Sequence, residues 1–197
     1  KVSCHWLISK KGKIYKIVDE KNVAWHAGHS FWKGEIMLND CSIGIELDNS
    51  GHGSGYKVFP NIQMSVLEML LKLLIQKYNI KKQNILGHSD IAPDRKLDPG
   101  ELFNWNRLAK KNLAYYPLTK KYSLRNIIFK LGDKNKEIKI IKHKLNKIGY
   151  KCSKNNYFDI YLKLVIEAFQ RRFLPEKING IIDGKVYSRI IDVSKNA

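Results

Sequence analysis

The chain has 197 residues, of which 44% are hydrophobic, and 36 basic against 18 acidic residues give it a formal net charge of +18. This hydrophobic content supports a packed core and excludes global disorder, and no apolar run approaches the roughly 18–20 residues that a membrane span needs. The basic residues are spread along the chain and form no single stripe, so the charge is weak evidence for a polyanionic partner.

The first half of the chain predicts strands followed by helices. Residues 4–18 predict two strands around the turn "SKKGK", and "SIGIELDN" predicts a third strand with Glu46 on the face opposite Ile45 and Leu47. "NILGHSD" predicts a short strand that leads into a charged loop, and "ELFNWNRLAKKN" predicts a helix. After Pro60, "NIQMSVLEMLLKLLIQKY" predicts a longer buried helix. Its apolar stripe would be Ile62, Val66, Leu67, Leu70, Leu73 and Leu74.

The character of the chain changes from about residue 112, where "NLAYYPLTKKYSL" predicts a connection. Beyond it, apolar residues in helical phase predict two helices, around residues 138–148 and 162–173, and a last helix at about 184–192. We therefore predict a mixed α/β domain over residues 1–117 and a small three-helix domain over residues 124–197. A module of roughly 70 residues buries only a modest core, so we expect it to dock on the first domain.

The loop "GHSDIAPDRKLDPG", residues 87–100, concentrates the residues with catalytic chemistry. His88 and Asp98 lie ten residues apart in a segment stiffened by two prolines, and the loop could fold back to bring both to one zinc ion. Lys96 could stabilise an oxyanion beside such a metal, and Glu46, if partly buried on its strand, would suit a general base. The His-Asp spacing is common by chance, and an ordinary solvated loop is the alternative. The three cysteines form no cysteine-type zinc motif.

Four segments occur in an order and spacing that resemble a known family. They are "VSCHWLIS", "AWHAGHSFWKG", "LNDCSIGIELDN" and "GHSDIAPDRKLDPGELFNW". Together they resemble the zinc-dependent N-acetylmuramoyl-L-alanine amidases of the amidase-2 family, in its AmiD-like branch of envelope lipoproteins, over about residues 1–117. "IIKHKLNKIGY", "VIEAFQRRF" and "GIIDGKVYSRI" resemble the three-helix peptidoglycan-binding module that often follows this domain. The resemblance implies a mixed central β-sheet flanked by helices, as in peptidoglycan-recognition proteins.

The resemblance also implies a reaction, the hydrolysis of the amide that joins N-acetylmuramic acid to L-alanine in peptidoglycan or muropeptides. Carried over by motif, His88 and Asp98 would be ligands of Zn²⁺. Glu46 would take a proton from the attacking water and pass it to the leaving amine, while Lys96 would hold the developing oxyanion. Trp25 would line the groove for sugar and peptide.

Two further expectations follow from the same resemblance. Arg95 would contact a carboxylate of the stem peptide. The first zinc histidine of the family lies on a strand upstream of the stretch that matches "VSCHWLI", so we expect the third ligand upstream of Lys1, in a segment absent from this chain. His5 matches a different family histidine, and we expect it to be a buried structural residue with its hydrogen bonds satisfied.

We expect a monomer whose partner is peptidoglycan or a muropeptide. No reader motif or clustered basic face points to a specific nucleic acid, and a membrane would be reached only through an N-terminal lipid anchor outside this chain. The expected location is the bacterial cell envelope, either the periplasm or the outer membrane. We expect residues 124–197 to hold the polymer and to be dispensable for a soluble substrate. The alternative is a peptidoglycan-binding protein of the same fold without activity. The incomplete metal site favours this alternative, and the presence of both Glu46 and Lys96, which a pure binding protein does not need, disfavours it.

Overall fold

The computed structural model describes residues 2–117 and 126–197, which form two compact units. Unit 1 comprises Lys1–Ser30, Glu35–Ile85 and Leu102–Tyr115, and unit 2 comprises Phe31–Gly34, Leu86–Glu101 and Tyr116–Ala197. The units differ from the predicted domains, because residues 86–101 belong to unit 2 together with the C-terminal helices. The predicted boundary between residues 117 and 124 falls mostly outside the described residues, and the domain division it implies stays a prediction.

A small mixed sheet organises unit 1. The strands of the first half are β1 (Trp6–Ile8), β2 (Ile14–Lys16), β3 (Phe31–Trp32), β4 (Glu35–Ile36) and β5 (Ile45–Leu47). The sheet order is β2-β1-β5, in which β1 pairs antiparallel with β2 and parallel with β5. Gly12 in the β1–β2 turn has φ +78°, a left-handed conformation that glycine adopts without strain. The predicted hairpin, the third strand and the mixed sheet are therefore confirmed.

The described residues form six α-helices. They are α1 (Asn61–Tyr78), α2 (His88–Ile91), α3 (Trp105–Lys110), α4 (Lys136–Ile148), α5 (Ile160–Phe173) and α6 (Gly184–Lys195). The predicted helix after Pro60 is confirmed as α1, and α3 and the three C-terminal helices also lie where the sequence predicts them. None of the helices in the described residues is both long and apolar enough to span a membrane.

The buried face of α1 differs in phase from the prediction. Ile62 and Leu73 were expected in the core, but they are 54% and 59% exposed. Gln63 is buried instead, and its Nε2 donates hydrogen bonds to the carbonyl oxygens of Ile8 and Asp48. Because buried polar groups that find partners are tolerated in a core, the helix turns this residue inward and moves the apolar edge residues toward solvent.

The predicted strand "NILGHSD" is wrong. Residues 85–87 are irregular and α2 begins at His88, with Gly87 as its N-cap residue in an extended conformation. The carboxylate of Asp90 accepts a hydrogen bond from the Gly87 N–H at 2.9 Å. This local side-chain cap satisfies a donor that a strand would have paired with its neighbour.

The core of unit 2 follows the helical phase that the sequence predicts. Ile138, Ile141 and Leu145 of α4 are fully buried, and the side chains of Asn135, Asp159 and Asp183 cap the three helices. A short antiparallel ribbon, formed by β6 (Ile128–Phe129) and β7 (Ile182–Asp183), was not predicted. Two-residue strands carry too little periodicity to be recognised in a sequence.

Candidate active site

The charged loop of unit 2 folds back on itself. The N–H of Ser89, in the first turn of α2, donates to the carbonyl oxygen of Asp98 at 2.9 Å, and the N–H of Lys96 donates to the carbonyl oxygen of Ala92 at 3.0 Å. The Asp98–Pro99 peptide bond is cis. These backbone hydrogen bonds close residues 88–98 into a ring, so the predicted return of the loop is confirmed.

Loop closure brings the side chains of His88 and Asp98 together. His88 Nδ1 lies 3.1 Å from Asp98 Oδ2, and the side chains are 14% and 58% exposed, respectively. The guanidinium of Arg95 lies 3.4 Å from Nε2 on the other side of the imidazole. Since a guanidinium only donates hydrogen bonds, the neutral ring accepts at Nε2 and carries its proton on Nδ1, from which it donates to Asp98.

The electrostatics of the loop keep Asp98 ionised. Partial desolvation would by itself raise the pKa of Asp98, but the hydrogen bond from His88 and the positive charge of Lys96 outweigh it and hold the pKa below its usual range. The positive charge of Lys96, two residues earlier in the same loop, therefore acts on this carboxylate. An ionised carboxylate beside an imidazole nitrogen is a suitable donor set for a divalent metal.

The pair fits part of a zinc site. Two atoms bound to one tetrahedral zinc at about 2.0–2.2 Å lie about 3.3–3.5 Å apart, close to the observed 3.1 Å between His88 Nδ1 and Asp98 Oδ2. A catalytic zinc usually has three protein ligands. Residues 2–117 and 126–197 contain no group of three or more His, Cys, Asp or Glu side chains placed to hold one metal ion. His88 and Asp98 thus offer two ligands of such a site.

Buried residues that the sequence did not single out anchor this loop. Asp90 is 2% exposed, and its carboxylate accepts hydrogen bonds from Tyr150 Oη at 2.7 Å and from Arg172 Nη1 at 2.6 Å. Tyr150 follows α4 and Arg172 lies on α5, so the anchor belongs to the C-terminal helices. Removal of residues 124–197 would leave this buried carboxylate without its charge partner, and the expectation that these residues are dispensable for a soluble substrate stays a prediction.

Glu46 lies on β5 in unit 1, in register with Leu7 of β1. Its side chain is exposed, so the expected partial burial is wrong. The exposure agrees with the position of β5 at the edge of the three-stranded sheet. The buried Cys4 is its neighbour: burial first, and then the negative charge of Glu46, raises the pKa of the Cys4 thiol. Cys4 is therefore protonated at neutral pH and no nucleophile.

Trp25 is 59% exposed in unit 1, on a loop that a buried asparagine holds. Asn39 is 4% exposed, and its Oδ1 accepts hydrogen bonds from the backbone N–H groups of His26, Ala27 and Gly28. The Trp25 N–H also donates to Ser3 Oγ at 2.8 Å. A fixed backbone below an exposed indole is an arrangement suited to stacking against a ligand.

Two histidines of unit 1, His5 and His26, have structural roles. His5 is 1% exposed, and its ring nitrogens lie 3.0 Å from the Gly44 N–H and 3.0 Å from the Asn22 carbonyl oxygen. His26 contacts the Ala24 carbonyl oxygen and the Ser42 hydroxyl with its two nitrogens. The prediction that His5 is a buried residue with satisfied hydrogen bonds is confirmed, and it has no nitrogen left for a metal.

The structure thus groups four of the six predicted site residues in one loop of unit 2, and it places Glu46 and Trp25 in unit 1. Of the residues that were missed, Asp90 had a local signal, since an acidic residue three positions after a helix N-cap commonly caps the first turn. Tyr150 and Arg172 had none, because they reach Asp90 across 60 and 82 residues of sequence.

Comparison with known proteins gives a consistent result. Residues 1–101 match the family described as N-acetylmuramoyl-L-alanine amidase. The chain is 34% identical over 200 residues to the N-acetylmuramoyl-L-alanine amidase AmiD of Escherichia coli strain K12, covering 93% of this chain and 70% of AmiD. It is 42% identical over 108 residues to the 1,6-anhydro-N-acetylmuramyl-L-alanine amidase AmpD of Haemophilus influenzae, covering 54% of this chain and 56% of AmpD.

Solved structures show the same similarity. The structure of AmiD from E. coli, in complex with the substrate anhydro-N-acetylmuramic acid-L-Ala-D-gamma-Glu-L-Lys, superposes with a TM-score of 0.84 at 32% identity and covers 99% of this chain and 80% of that one. AmpDh3 from Pseudomonas aeruginosa superposes with a TM-score of 0.82 at 24% identity, covering 100% of this chain and 83% of that one, which shows a common fold. The predicted fold class is confirmed over both units.

Proposed function

Because the chain belongs to the amidase-2 family of N-acetylmuramoyl-L-alanine amidases, we propose that it hydrolyses the amide between N-acetylmuramic acid and L-alanine with zinc as its cofactor. The observation that carries the proposal is the convergence of His88 Nδ1 and Asp98 Oδ2 within one closed loop. The substrate bound in the related AmiD structure supports a muropeptide with an anhydro-muramic end as the substrate class. We propose the bacterial cell envelope as the location of the activity, because a substrate of this class is part of peptidoglycan.

His88 and Asp98 would hold the metal through Nδ1 and Oδ2, with a third ligand from outside this pair. Zinc would supply Lewis acidity toward a water molecule and the scissile carbonyl. With Nδ1 available to a metal, the neutral His88 ring would carry its proton on Nε2, which faces Arg95. Arg95 would then turn toward a carboxylate of the stem peptide, for which a guanidinium is a strong bidentate partner.

The proposed roles of Glu46 and Lys96 rest on the family resemblance and on their chemistry. The exposed carboxylate of Glu46 would accept a proton from the attacking water, whose oxygen bonds to the carbonyl carbon. The same proton would pass to the nitrogen of L-alanine as the carbon–nitrogen bond breaks, so that the amine leaves neutral. The ammonium of Lys96 would offset the negative charge that develops on the carbonyl oxygen. Trp25 would support sugar or peptide with its exposed indole.

A second candidate is a peptidoglycan-binding protein that does not cleave. It is favoured by the two-ligand set of the described residues, in which His88 and Asp98 would form only a hydrogen-bonded pair. The two candidates differ in one measurable property, since the binder retains a muropeptide unchanged in the presence of zinc and the amidase releases the free peptide.

The test uses the chain with and without added zinc, a soluble anhydro-muropeptide and mass spectrometry of the products. His88→Ala and Asp98→Ala should lose bound zinc, as measured by elemental analysis. His143→Ala and Asp94→Ala are matched controls with exposed side chains, and they should keep it. Glu46→Gln and Lys96→Ala should keep zinc and lose about 10²–10⁴-fold in cleavage rate, the usual scale for a general base or an oxyanion donor.

Three outcomes would overturn parts of the proposal. Stoichiometric zinc in both His88→Ala and Asp98→Ala would exclude the metal site. Normal rates in Glu46→Gln and Lys96→Ala would mean that their roles are misassigned. Tight binding of the muropeptide by the zinc-loaded chain without any cleavage would favour the binding protein.

We further propose that the C-terminal helices bind the peptidoglycan polymer, as their resemblance to a peptidoglycan-binding module implies. Insoluble peptidoglycan should sediment the full chain in the presence of a chelator, which prevents cleavage. The helices are basic, so the part of the binding that survives high salt measures specific recognition. Binding that disappears at high salt would mean that only the net charge holds the chain on the polymer.

A further inference from the structure

The buried contact between Asp90 and the C-terminal helices lies directly beside a proposed metal ligand. Asp90 Oδ2 accepts both the Gly87 N–H at 2.9 Å and Arg172 Nη1 at 2.6 Å, while Oδ1 accepts the Tyr150 hydroxyl at 2.7 Å. The Gly87 N–H belongs to the Leu86–Gly87 peptide group, and Gly87 is the residue immediately before His88. One carboxylate therefore joins the backbone at the metal ligand to two side chains from distant parts of the chain.

The partners of Asp90 are themselves held in place. Tyr150 is 1% exposed, and its ring makes an edge contact with Trp32 at 5.1 Å between centroids. The residue before it, Gly149, has φ +142°, and a Cβ there would lie 2.4 Å from the Trp32 ring. Its carbonyl oxygen accepts the Lys33 N–H at 2.9 Å. This packing leaves the phenol of Tyr150 little freedom to move away from Asp90.

The protonation of the cluster suits a permanent hydrogen-bond network. Burial, followed by the negative charge of Asp90, raises the pKa of Tyr150 well above its usual value. The phenol is therefore always a donor to Asp90 at any pH at which the protein functions. Arg172 is 4% exposed at its side chain and supplies the positive charge that a buried carboxylate needs.

We propose that Asp90, Tyr150 and Arg172 are positioning residues for His88, through which the C-terminal helices complete the metal-binding loop. The inference rests on the proposed function in one respect, the role of His88 as a ligand. Asp90 fixes the backbone before His88, and the Ser89 N–H fixes the backbone of Asp98. The geometry of both ligands thus depends on a fixed position of α2 against α5.

A set of conservative variants separates this role from general stabilisation. Tyr150→Phe removes one donor to Asp90 and keeps the ring that packs on Trp32. Its matched control is Tyr187→Phe, which removes a buried phenol that contacts Glu137 within the helical module, away from the loop. Arg172→Lys keeps the positive charge at the anchor, while Arg172→Met removes it.

Two readouts apply to the full-length variants. The first is the NMR signals of the His88 ring in the metal-free protein, namely those of its two nitrogens and of the protons bound to its carbons. These signals report the tautomer of the ring and its hydrogen bond to Asp98. The second is zinc affinity, measured by competition with a chelator, together with kcat and KM on a soluble muropeptide. Outer-shell partners of a metal ligand typically change metal affinity by about 10–100-fold.

We expect Tyr150→Phe to shift the His88 signals, to weaken zinc about 10-fold and to lower kcat with little change in KM, while Tyr187→Phe leaves all four unchanged. Arg172→Lys should lie closer to the wild type than Arg172→Met. The inference is overturned if Tyr150→Phe matches Tyr187→Phe in the His88 signals and zinc affinity. If neither variant binds zinc but only Tyr150→Phe shifts the His88 signals, then the positioning stands and the proposed function fails.

Discussion

Lys142 is a buried ammonium at the centre of the helical module, and its removal makes a sharp test of how unit 2 is stabilised. The side chain is 1% exposed on α4. Its Nζ contacts Ser153 Oγ at 2.8 Å, Asn155 Oδ1 at 2.8 Å, the Tyr157 carbonyl oxygen at 2.6 Å and Asp159 Oδ2 at 2.9 Å. An ammonium has three protons, so four acceptors share them. Lys142→Met keeps the aliphatic stem and removes this charge.

The expected loss follows from which acceptors are left behind. Breaking a buried ion pair by removing one partner costs about 3–5 kcal/mol. The side chain of Asp159 is 30% exposed, and Ser153 and Asn155 are at the surface, so water reaches part of the site. We therefore expect Lys142→Met to lose about 3 kcal/mol, at the lower end of that range. For a chain of this length, this corresponds to a Tm lower by about 6–12 °C.

The pH dependence of this loss has a definite sign. Burial alone would raise the pKa of Asp159, but the hydrogen bonds from Lys142 and from the Leu162 N–H hold it below its usual value. A carboxyl group with a lowered folded pKa stabilises the protein above its unfolded pKa, and this stabilisation is lost as the pH falls through the folded pKa. The free energy of unfolding of the wild type should thus exceed that of Lys142→Met most near neutral pH. The difference between the two should decrease below about pH 4.

Thermal and denaturant unfolding, followed by circular dichroism, measures the difference. Lys139→Met is the matched control, because Lys139 is exposed on the same helix and its loss should change stability by less than about 0.5 kcal/mol. The reasoning is refuted if the free energies of unfolding of Lys142→Met and of this control differ by less than about 1 kcal/mol at pH 7. It is also refuted if the difference in stability between the wild type and Lys142→Met increases in acid. In either case the ammonium does not stabilise the C-terminal helices as its contacts indicate.

The remaining predictions concern unit 1 and the thiols. Gly44→Ala should destabilise the protein by about 1–3 kcal/mol, because its Cβ would lie 2.3 Å from the His26 ring, whose nitrogens are both hydrogen-bonded. If denaturant unfolding shows no loss of stability, then the His26 ring moves aside. Burial raises the pKa of Cys152 to about 12, so alkylation and peptide mapping of the native protein should modify the exposed Cys41 first, and equal rates would contradict this. Trp25→Ala should raise KM and leave Tm unchanged, since the side chain is 59% exposed; a large fall in Tm would assign Trp25 to the core.

Local patterns in the sequence were sufficient for most of the secondary structure. The turn with Gly12 predicted the β1–β2 hairpin, and apolar residues in helical phase predicted α1, α4 and α5, because these periodicities are set by backbone geometry within a few residues. The closure of His88 onto Asp98 was also predictable, since both residues lie in one short loop and the connecting segment has few paths. The resemblance of four motifs predicted the family, which the comparisons confirm.

Only the tertiary structure decided which residues hold that loop. Asp90 is paired with Tyr150 and Arg172, which lie 60 and 82 residues away, and no local pattern marks a buried ion pair between segments that distant. For the same reason the phase of α1 was misjudged, since Gln63 is buried against the carbonyl groups of Ile8 in β1 and of Asp48, which are distant in sequence. Which side chains pair depends on distant segments that only the folded chain brings together. Hydrophobic periodicity, in contrast, indicates only which face of a single segment is apolar.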